Sequence, residues 1–331
     1  MTIPPTPDTA RTAAPSGESG KLRCIHCTSL HPHWDRSLPP AHVVADGAVL
    51  TMACPDAANG LLHPSSTASD IAAIDFTMLD PLCGPIYVEG AQPGDVLQVD
   101  VLGIELSHWG WTGLLKGFGL LADEFPQPYF RSFDLTRGEV DVFGLPFTLR
   151  PMMGVLGVAP AMPGAHASIT PTVAGGNIDV RYLSTGSTIY LPVFNEGALL
   201  SGGDGHALQG EGEISGTAIE APMTATLRVK VLKNQSLRAP VLDISTRAYT
   251  ETEYRDFLGI GPDLFQAARD ATRYAVDALA AHLRVEPFEA YAILGMVGEL
   301  RIHEIVDQPN WVVGCMVPRR FFQRQAYTTG R

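Results

Sequence analysis

Side chains that bind cations and transfer protons are concentrated in residues 175–220, where glycine is also dense. The candidate ligands and acid–base groups of this segment are Asn177, Asp179, Asp204, His206, Gln209, Glu211, Glu213 and Glu220. Carboxylates and an imidazole are ligands for divalent cations, and glycine lets the backbone approach a bound group closely. Because Arg181 is the only Lys or Arg here, the carboxylates would repel one another unless a cation or protons relieved them. The composition of the segment predicts a metal site.

Each acid taken alone also has a simpler interpretation. The pair Asp204-Gly205 marks a turn more often than a metal site. By the same reasoning Asp56, in Cys-Pro-Asp-Ala-Ala-Asn-Gly at 54–60, is either a turn residue or a ligand. Glu89 follows a strand-like run and is either a solvated rim residue or a ligand. Only in residues 175–220 does the number of acids around one histidine favour the metal site.

Sequence signatures of a protein nucleophile are absent. There is no Gly-x-Ser-x-Gly elbow and no Gly-x-x-x-x-Gly-Lys-Ser/Thr loop. The run His303-Glu304-Ile-Val-Asp307 is not His-Glu-x-x-His, so it does not indicate a zincin helix. If the protein is an enzyme, metal-activated water is therefore the expected nucleophile.

Overall composition limits the classes of protein that are possible. A chain of 331 residues with 33 glycines and 26 prolines is typical of a loop-rich, mainly β protein. The net charge of −12, without a basic cluster, argues against nucleic-acid and anionic-membrane partners. Five scattered cysteines and no apolar signal segment favour a cytoplasmic location.

The elements that would hold the candidate site follow from hydrophobic periodicity. Alternation over 94–101 predicts a half-buried strand, and the apolar run 189–194 predicts a buried one. Residues 263–283 place Leu264, Ala268, Ala271 and Ala275 on one stripe, which predicts an amphipathic helix. A second, shorter helix is expected over 287–296, before the strand-like runs 300–306 and 312–317. The expected organisation is a disordered leader (1–21), a β-rich catalytic core (22–235) and an α+β C-terminal domain (236–331).

Several motifs of this chain resemble those of the acetamidase/formamidase family in order and spacing. They are Gly-Gly-Asn-Ile-Asp (175–179), Tyr-Leu-Pro-Val (190–193), Gly-Asp-Gly-His-Ala (203–207), Gln-Gly-Glu-Gly-Glu (209–213) and Gly-Thr-Ala-Ile-Glu (216–220). Further family-like blocks occur upstream, at 84–97, and downstream, at 300–309, so the resemblance covers most of the chain. Ala174 departs from the family pattern, since many members carry histidine before the first block.

The resemblance implies a soluble homo-oligomer that hydrolyses a short carboxamide, formamide-like or acetamide-like, to ammonia and an acid. It also implies a jelly-roll-like β-sandwich core, a smaller β-barrel-like region and a C-terminal part that contains helices. Two alternatives stay open: hydrolysis of another C–N bond, in a cyclic or urea-like amide, and a non-catalytic β-sandwich that binds small amides.

The residues suggest a division of roles within such a site. The expected ligands of a divalent cation, zinc by preference or calcium or another ion, are Asp179, Asp204, His206, Glu89 and His31. Glu213 is the expected proton shuttle, with Glu211 and Glu220 as alternatives, because proton delivery to the leaving nitrogen is required. Asn177 is the expected donor to the oxyanion. The expected substrate-binding residues are Gly176, Gly205, Gln209 and Asp56.

Overall fold

The computed structural model describes residues 25–246 and 252–323, so the expected leader (1–21) lies outside the described residues. They contain 22 strands and four α-helices. The first eleven strands are β1 (Ile25–Cys27), β2 (Leu30–His31), β3 (His33–Trp34), β4 (His42–Val44), β5 (Val49–Cys54), β6 (Leu82–Val88), β7 (Val96–Leu106), β8 (Trp109–Leu114), β9 (Tyr129–Asp134), β10 (Glu139–Val142) and β11 (Leu145–Thr148). The others are β12 (Met152–Val158), β13 (His166–Ala167), β14 (Gly175–Asn177), β15 (Thr188–Pro192), β16 (Leu200–Leu208), β17 (Ile219–Glu220), β18 (Met223–Leu232), β19 (Val241–Ile244), β20 (Tyr254–Gly261), β21 (Glu299–Glu304) and β22 (Trp311–Pro318). The helices are α1 (Ala68–Ala72), α2 (Leu264–Leu283), α3 (Pro287–Val297) and α4 (Arg320–Gln323).

Sheet A has nine strands, in the order β1-β5-β18-β7-β15-β19-β20-β22-β21. Its longest pair is β7 with β18, antiparallel from Val96↔Leu232 to Leu106↔Met223. In β7, Val99 is buried whereas Gln98 and Asp100 are half-exposed, which confirms the predicted alternation. The predicted apolar strand is β15, which pairs along the other edge of β7 and is buried on both faces from its second residue onward.

Sheet B carries the polar segment of the sequence and packs against sheet A. Its strand order is β14-β12-β16-β17-β8-β9, and β6 joins it through β16. The main hydrophobic core combines side chains of both sheets, such as Leu50, Val99 and Leu227 from sheet A with Ile86, Met153, Leu156 and Leu200 from sheet B. Two sheets that share one apolar core form a β-sandwich.

The C-terminal strands extend sheet A beyond the expected domain boundary at 235/236. β19 pairs with β15 through Ile189↔Leu242, and β20, β22 and β21 follow outward. The hydrogen bonds of one sheet therefore run from the predicted core into the predicted C-terminal domain.

Helix α2 covers this C-terminal part of sheet A. It begins after Asp263, whose side chain accepts a hydrogen bond from the Gln266 N–H (2.6 Å), as an N-cap does. The predicted stripe is buried at Ala271 and Ala275, but Leu264 and Ala268 are only half-buried because Ala267 faces β20 instead. α3 matches the second predicted helix.

The fold class predicted from the sequence is confirmed: the chain is mainly β, with 41% strand and 15% helix, and has helices in its C-terminal part. Both large sheets are open, so the expected barrel-like region does not form within 25–246 and 252–323. None of the helices in these ranges is long and apolar enough to cross a membrane.

Candidate active site

Sheet B and one loop from sheet A bring the acidic residues together around His206. Asp204 and His206 lie on β16, and His206 is paired in register with Glu220 on β17. Asp179 lies two residues beyond the end of β14. Asp307 arrives from sheet A, in the loop between β21 and β22. All of these side chains are buried.

Four carboxylates lie within ion-pair distance of the His206 ring. Nε2 is 2.8 Å from Asp204 Oδ2, 3.0 Å from Glu220 Oε2 and 3.9 Å from Glu213 Oε1. Nδ1 is 3.6 Å from Asp179 Oδ1. Four acids from four separate segments of the chain therefore surround the His206 ring.

Gln209 fixes the orientation of this ring. Nδ1 of His206 donates to Gln209 Oε1 (2.7 Å), and Gln209 Nε2 donates to the Asp179 carbonyl (2.7 Å). With its proton on Nδ1, a neutral His206 presents the lone pair of Nε2 to the carboxylates, which is the state in which histidine binds a metal. Both polar atoms of Gln209, a predicted substrate-binding residue, are therefore engaged within the cluster.

The carboxylates carry oxygens that no donor satisfies. Both oxygens of Asp179, Oδ1 of Asp204 and Oε2 of Glu220 are buried without a hydrogen bond. Buried acceptors are normally paired, because an unpaired one costs about 1–3 kcal/mol. The ligand atoms of Asp179, Asp204 and His206 lie within 4.8 Å of one another, as do those of His206, Glu213 and Glu220 and those of Asp179, Glu213 and Asp307. The donor set therefore fits a divalent cation.

A glycine on the neighbouring strand leaves room for this cluster. A Cβ atom at Gly154, on β12, would lie 2.2 Å from Asp204 Oδ2 and 2.7 Å from Asp179 Oδ1. The two carboxylates therefore occupy the space of the missing side chain.

The pKa values of the cluster reflect burial and mutual repulsion. Burial, reinforced by Asp204, raises the pKa of Glu220 to about 8, and burial also raises the pKa of Asp179 to about 6. Burial and then the Asp179 charge raise the pKa of Glu213 well above its usual range. Burial opposes the charged form of His206, but Asp204 and Glu220 outweigh it and raise the pKa of the ring well above its usual range. The cluster thus attracts positive charge to its centre.

Four of the cluster acids have a left-handed backbone. The φ angles are 49° at Asp80, 43° at Asp179, 50° at Asp204 and 45° at Glu213. Non-glycine residues rarely take this conformation, which costs on the order of 1–3 kcal/mol each in strained cases. Glu213 lies in such a turn, and Glu211, the alternative proton shuttle, does not join it at the His206 ring. Glu211 instead accepts a hydrogen bond from the Tyr182 hydroxyl (2.6 Å).

A small cavity of about 30 Å³ opens beside the cluster. One wall is polar and includes Asp204, His206, Glu213 and Glu220, and the opposite wall is apolar. The apolar wall consists of Leu79, Trp111, Leu115, Phe118 and Ile169. The site therefore joins acid–base groups to a short apolar surface.

Two predicted ligands are not part of the cluster. Glu89 is exposed at the end of β6. His31 is buried, but both of its ring nitrogens already have partners, the His33 carbonyl (2.9 Å) and the Ser201 hydroxyl (2.9 Å). Neither residue belongs to the metal-capable groups found in the described part of the chain.

The predicted substrate-binding residues have mainly structural surroundings. Asp56 accepts hydrogen bonds from the Trp111 indole (2.9 Å) and the Gly60 N–H (2.8 Å), as a turn residue does. Gly205 lies against the Ala221 carbonyl, and Gly176 pairs with Leu156 in sheet B.

The predicted oxyanion donor, Asn177, uses its amide hydrogens elsewhere. Its Nδ2 donates to Asp307 Oδ2 (2.7 Å) and to the Ile169 carbonyl (3.4 Å). Its Oδ1 is buried and has no partner. Asn177, which lines the cavity, therefore has a free hydrogen-bond acceptor, Oδ1, and no free donor.

Sequence reasoning missed three acids of the site: Asp80, Glu304 and Asp307. Asp80 and Asp307 line the cavity, and Glu304 accepts hydrogen bonds from the N–H groups of Val306 and Asp307. A parallel bridge between Gly212 and Glu304 holds this loop beside the turn of Glu213. The only signal was the family-like block at 300–309, which contains Glu304 and Asp307 but not Asp80; all three residues are far from 175–220 in sequence.

A buried histidine ringed by carboxylates on a β-sandwich defines an acid-rich centre whose side chains could hold a divalent cation. The profile of the acetamidase/formamidase family matches residues 23–166 and 161–324, and the chain belongs to that family. This confirms the resemblance found in the sequence and agrees with the predicted class, an amide hydrolase.

Relatives and solved structures support the same family. The chain is 28% identical to a formamidase of Methylophilus methylotrophus, in an alignment 367 positions long that covers 89% of each protein. It is 30% identical to an acetamidase of Mycolicibacterium smegmatis over 56% of this chain, and spans 61% of that relative. An acetamidase structure from Bacillus halodurans superposes with a TM-score of 0.82 at 29% identity, covering 90% of this chain and 98% of that one. A γ-lactamase from Delftia acidovorans gives 0.63 at 25% identity, with 91% of both chains covered.

Proposed function

We propose that the protein hydrolyses short linear carboxamides to ammonia and a carboxylic acid, with a divalent cation held by Asp179, Asp204 and His206. The observation that carries the proposal is the set of buried carboxylate oxygens that lack any hydrogen-bond donor. Family relatives that bear the names formamidase and acetamidase support the reaction class.

Zinc is the cation that we propose, because imidazole and carboxylate oxygens together are a common zinc donor set. When bound, such a cation supplies Lewis acidity, which activates water and polarises a carbonyl oxygen. Gln209 keeps the His206 ring turned toward the cation, and Gly154 leaves the space in which Asp179 and Asp204 converge.

Proton transfer is assigned to Glu213. Its pKa is raised, it lines the cavity, and its Oε1 lies 3.9 Å from His206 Nε2, farther than the nearest oxygens of Asp204 and Glu220. A carboxyl group that holds a proton near neutral pH can deliver it to the leaving nitrogen, which cannot depart as an anion. Glu220 accepts a hydrogen bond from the Ala218 N–H (2.7 Å) and lies closer to His206, so we assign it to the cation.

The cavity sets the expected orientation and size of the substrate. The free Oδ1 of Asn177 is an acceptor for the N–H of a carboxamide, whereas the apolar wall suits a hydrogen or a short alkyl group on the carbonyl carbon. Formamide and acetamide meet both conditions.

Cellular setting is part of the same proposal. Cys27, Cys54, Cys83 and Cys315 are free and buried, which is consistent with a reducing cytoplasm.

α3 exposes Phe288, Tyr291 and Met296, an apolar face that supports assembly into a homo-oligomer. We propose no nucleic-acid or membrane partner, in line with the net charge of −12.

Hydrolysis of a cyclic amide is the second candidate, and the structural similarity to the Delftia acidovorans γ-lactamase favours it. A β-sandwich that binds amides without turnover receives no such support.

The test combines metal analysis with ammonia release. Purified protein is assayed for bound metals and for ammonia formed from formamide, acetamide, urea and a γ-lactam; a lactam opens without releasing ammonia, so its loss is followed directly. We expect ammonia from the two linear amides, and loss of both metal and turnover in His206→Ala. Full metal content and rate in that variant would contradict the proposal.

A further inference from the structure

A chamber of about 670 Å³ lies next to the small cavity of the candidate site. It is partly open to solvent, and its walls combine apolar side chains, such as Phe76, Leu120, Leu264 and Trp311, with a similar amount of polar surface. Lys116, which is exposed, is the only charged side chain among the described residues that line it. A chamber of this size and character suits a neutral ligand with an apolar part.

Two side chains belong to the walls of both spaces. Phe118 and Ile169 line the 30 Å³ cavity as well as the 670 Å³ chamber. The segment that carries Asp307 also separates the two, because Asp307 lines the cavity and its neighbours Val306 and Gln308 line the chamber. Phe118, Ile169 and this segment therefore lie between the small cavity and the larger space.

Phe118 is held in the partition by its neighbours. Its ring meets Phe76 edge to face, with centroids 5.7 Å apart. A Cβ atom at Gly216 would lie 2.5 Å from the Phe118 ring, so the ring occupies space that only glycine leaves open. The Gly216 N–H donates to the Glu213 carbonyl (2.8 Å), so the glycine against which the ring packs belongs to the turn of the proposed proton donor.

We propose that Phe118 is the specificity-determining residue of the site and that the chamber is an acyl subsite behind it. With Phe118 present, the apolar wall admits only a short acyl group. Without the ring, cavity and chamber merge, and an amide with a longer alkyl or an aryl group can place its carbonyl at the cluster and its tail in the chamber. The inference rests on the proposed function, since it concerns the amide that the same acids hydrolyse.

The experiment compares chain-length profiles. Metal-loaded wild type, Phe118→Ala, Phe118→Leu and Ile169→Ala are assayed for ammonia release from acetamide, butyramide, hexanamide and benzamide. Phe265→Ala, which removes a phenyl ring that is 74% exposed on α2, is the matched control. Each methylene that a pocket accepts or rejects changes kcat/KM by about 10-fold or more. We therefore expect the hexanamide-to-acetamide ratio of kcat/KM to rise at least about 10-fold in Phe118→Ala and less in Phe118→Leu.

The possible outcomes separate the two proposals. Wild type that releases ammonia from acetamide, together with an unchanged ratio in both Phe118→Ala and Ile169→Ala, overturns the role of the partition. Wild type that is inactive on every amide overturns the proposed function instead. Should Phe118→Ala fail to fold, Phe118→Leu and Ile169→Ala, which lie on different segments, decide the question by the same ratio.

Discussion

Replacing Gly154 by alanine adds one methyl group directly under the two central carboxylates. The new Cβ would lie 2.2 Å from Asp204 Oδ2 and 2.7 Å from Asp179 Oδ1, whereas ordinary contacts begin at 3.4 Å. Each carboxylate must therefore retreat by about 1 Å. Gly154 does not have a left-handed φ, so alanine introduces no backbone strain there.

The expected effect is large on the reaction and small on the fold. The displaced atoms are the ends of two side chains, and an off-rotamer side chain costs about 0.5–1.5 kcal/mol. For a chain of this size the melting temperature should fall by only a few degrees, at roughly 2–4 °C per kcal/mol. A misplacement of about 1 Å at reacting groups can lower a rate about 10²-fold. We expect Gly154→Ala to lose about two orders of magnitude in kcat/KM, with weaker metal retention.

The assay measures kcat/KM on acetamide, metal content after dialysis, and melting temperature. Gly103→Ala is the control, because Gly103 also lies in a strand and a Cβ there meets nothing within 4 Å. Wild-type rate and metal content in a folded Gly154→Ala protein would refute the reasoning, since the carboxylates could then not be the groups that hold the cation.

Three further predictions concern single groups of the site. Glu213→Gln should keep its metal and lose about 10²–10⁴-fold in kcat, as expected of a proton donor; loss of metal, partly restored by added cation, would make Glu213 a ligand instead. Gln209→Ala should weaken metal affinity by about 10–100-fold in a chelator competition, because His206 loses the partner that orients it; affinity equal to that of the surface control Gln266→Ala would contradict this role. Since burial raises the pKa of Glu220 from 4.5 to about 8 and that of Asp179 from 3.8 to about 6, the folded metal-free protein binds more protons than the unfolded chain in that window. Its melting temperature should therefore fall as the pH rises from about 5 to 8. Asp204, whose pKa is below its usual range, affects the melting temperature only in more acid solution. A saturating divalent cation should flatten the slope, and a metal-free protein with a constant melting temperature across this range would contradict the assignment.

The sequence predicted the parts of the site that lie close together along the chain. Asp204 and His206 are two residues apart on one strand, so their shared direction follows from the pleat. The partners Glu220 and Asp179 were recognised because glycine and acid were concentrated around them. Asp307 was missed because its approach depends on the pairing of sheet A, which no local pattern encodes.

Two predicted ligands, Glu89 and His31, lie outside the cluster for equally physical reasons. Glu89 has the right side chain, but the strand that precedes it ends at the surface. His31 is buried as a ligand would be, yet backbone and serine partners use both nitrogens. Hydrophobic periodicity predicted the half-buried strand β7 and the helices α2 and α3. It could not predict that sheet A continues past the expected domain boundary at 235/236, because that continuation depends on long-range pairing between β15 and β19.

Selection for heat resistance alone would act against the centre, because Asp80, Asp179, Asp204 and Glu213 have a left-handed backbone. In the absence of cation, Asp204→Gly or Asp179→Asn would relieve both local strain and charge repulsion, so a screen that rewards only survival at high temperature should enrich such changes and discard turnover. Laboratory evolution of this protein toward robustness therefore needs activity as a second criterion at every round. The same tension predicts that descendants released from catalysis drift first at these four positions, while the apolar sandwich beneath them stays as it is.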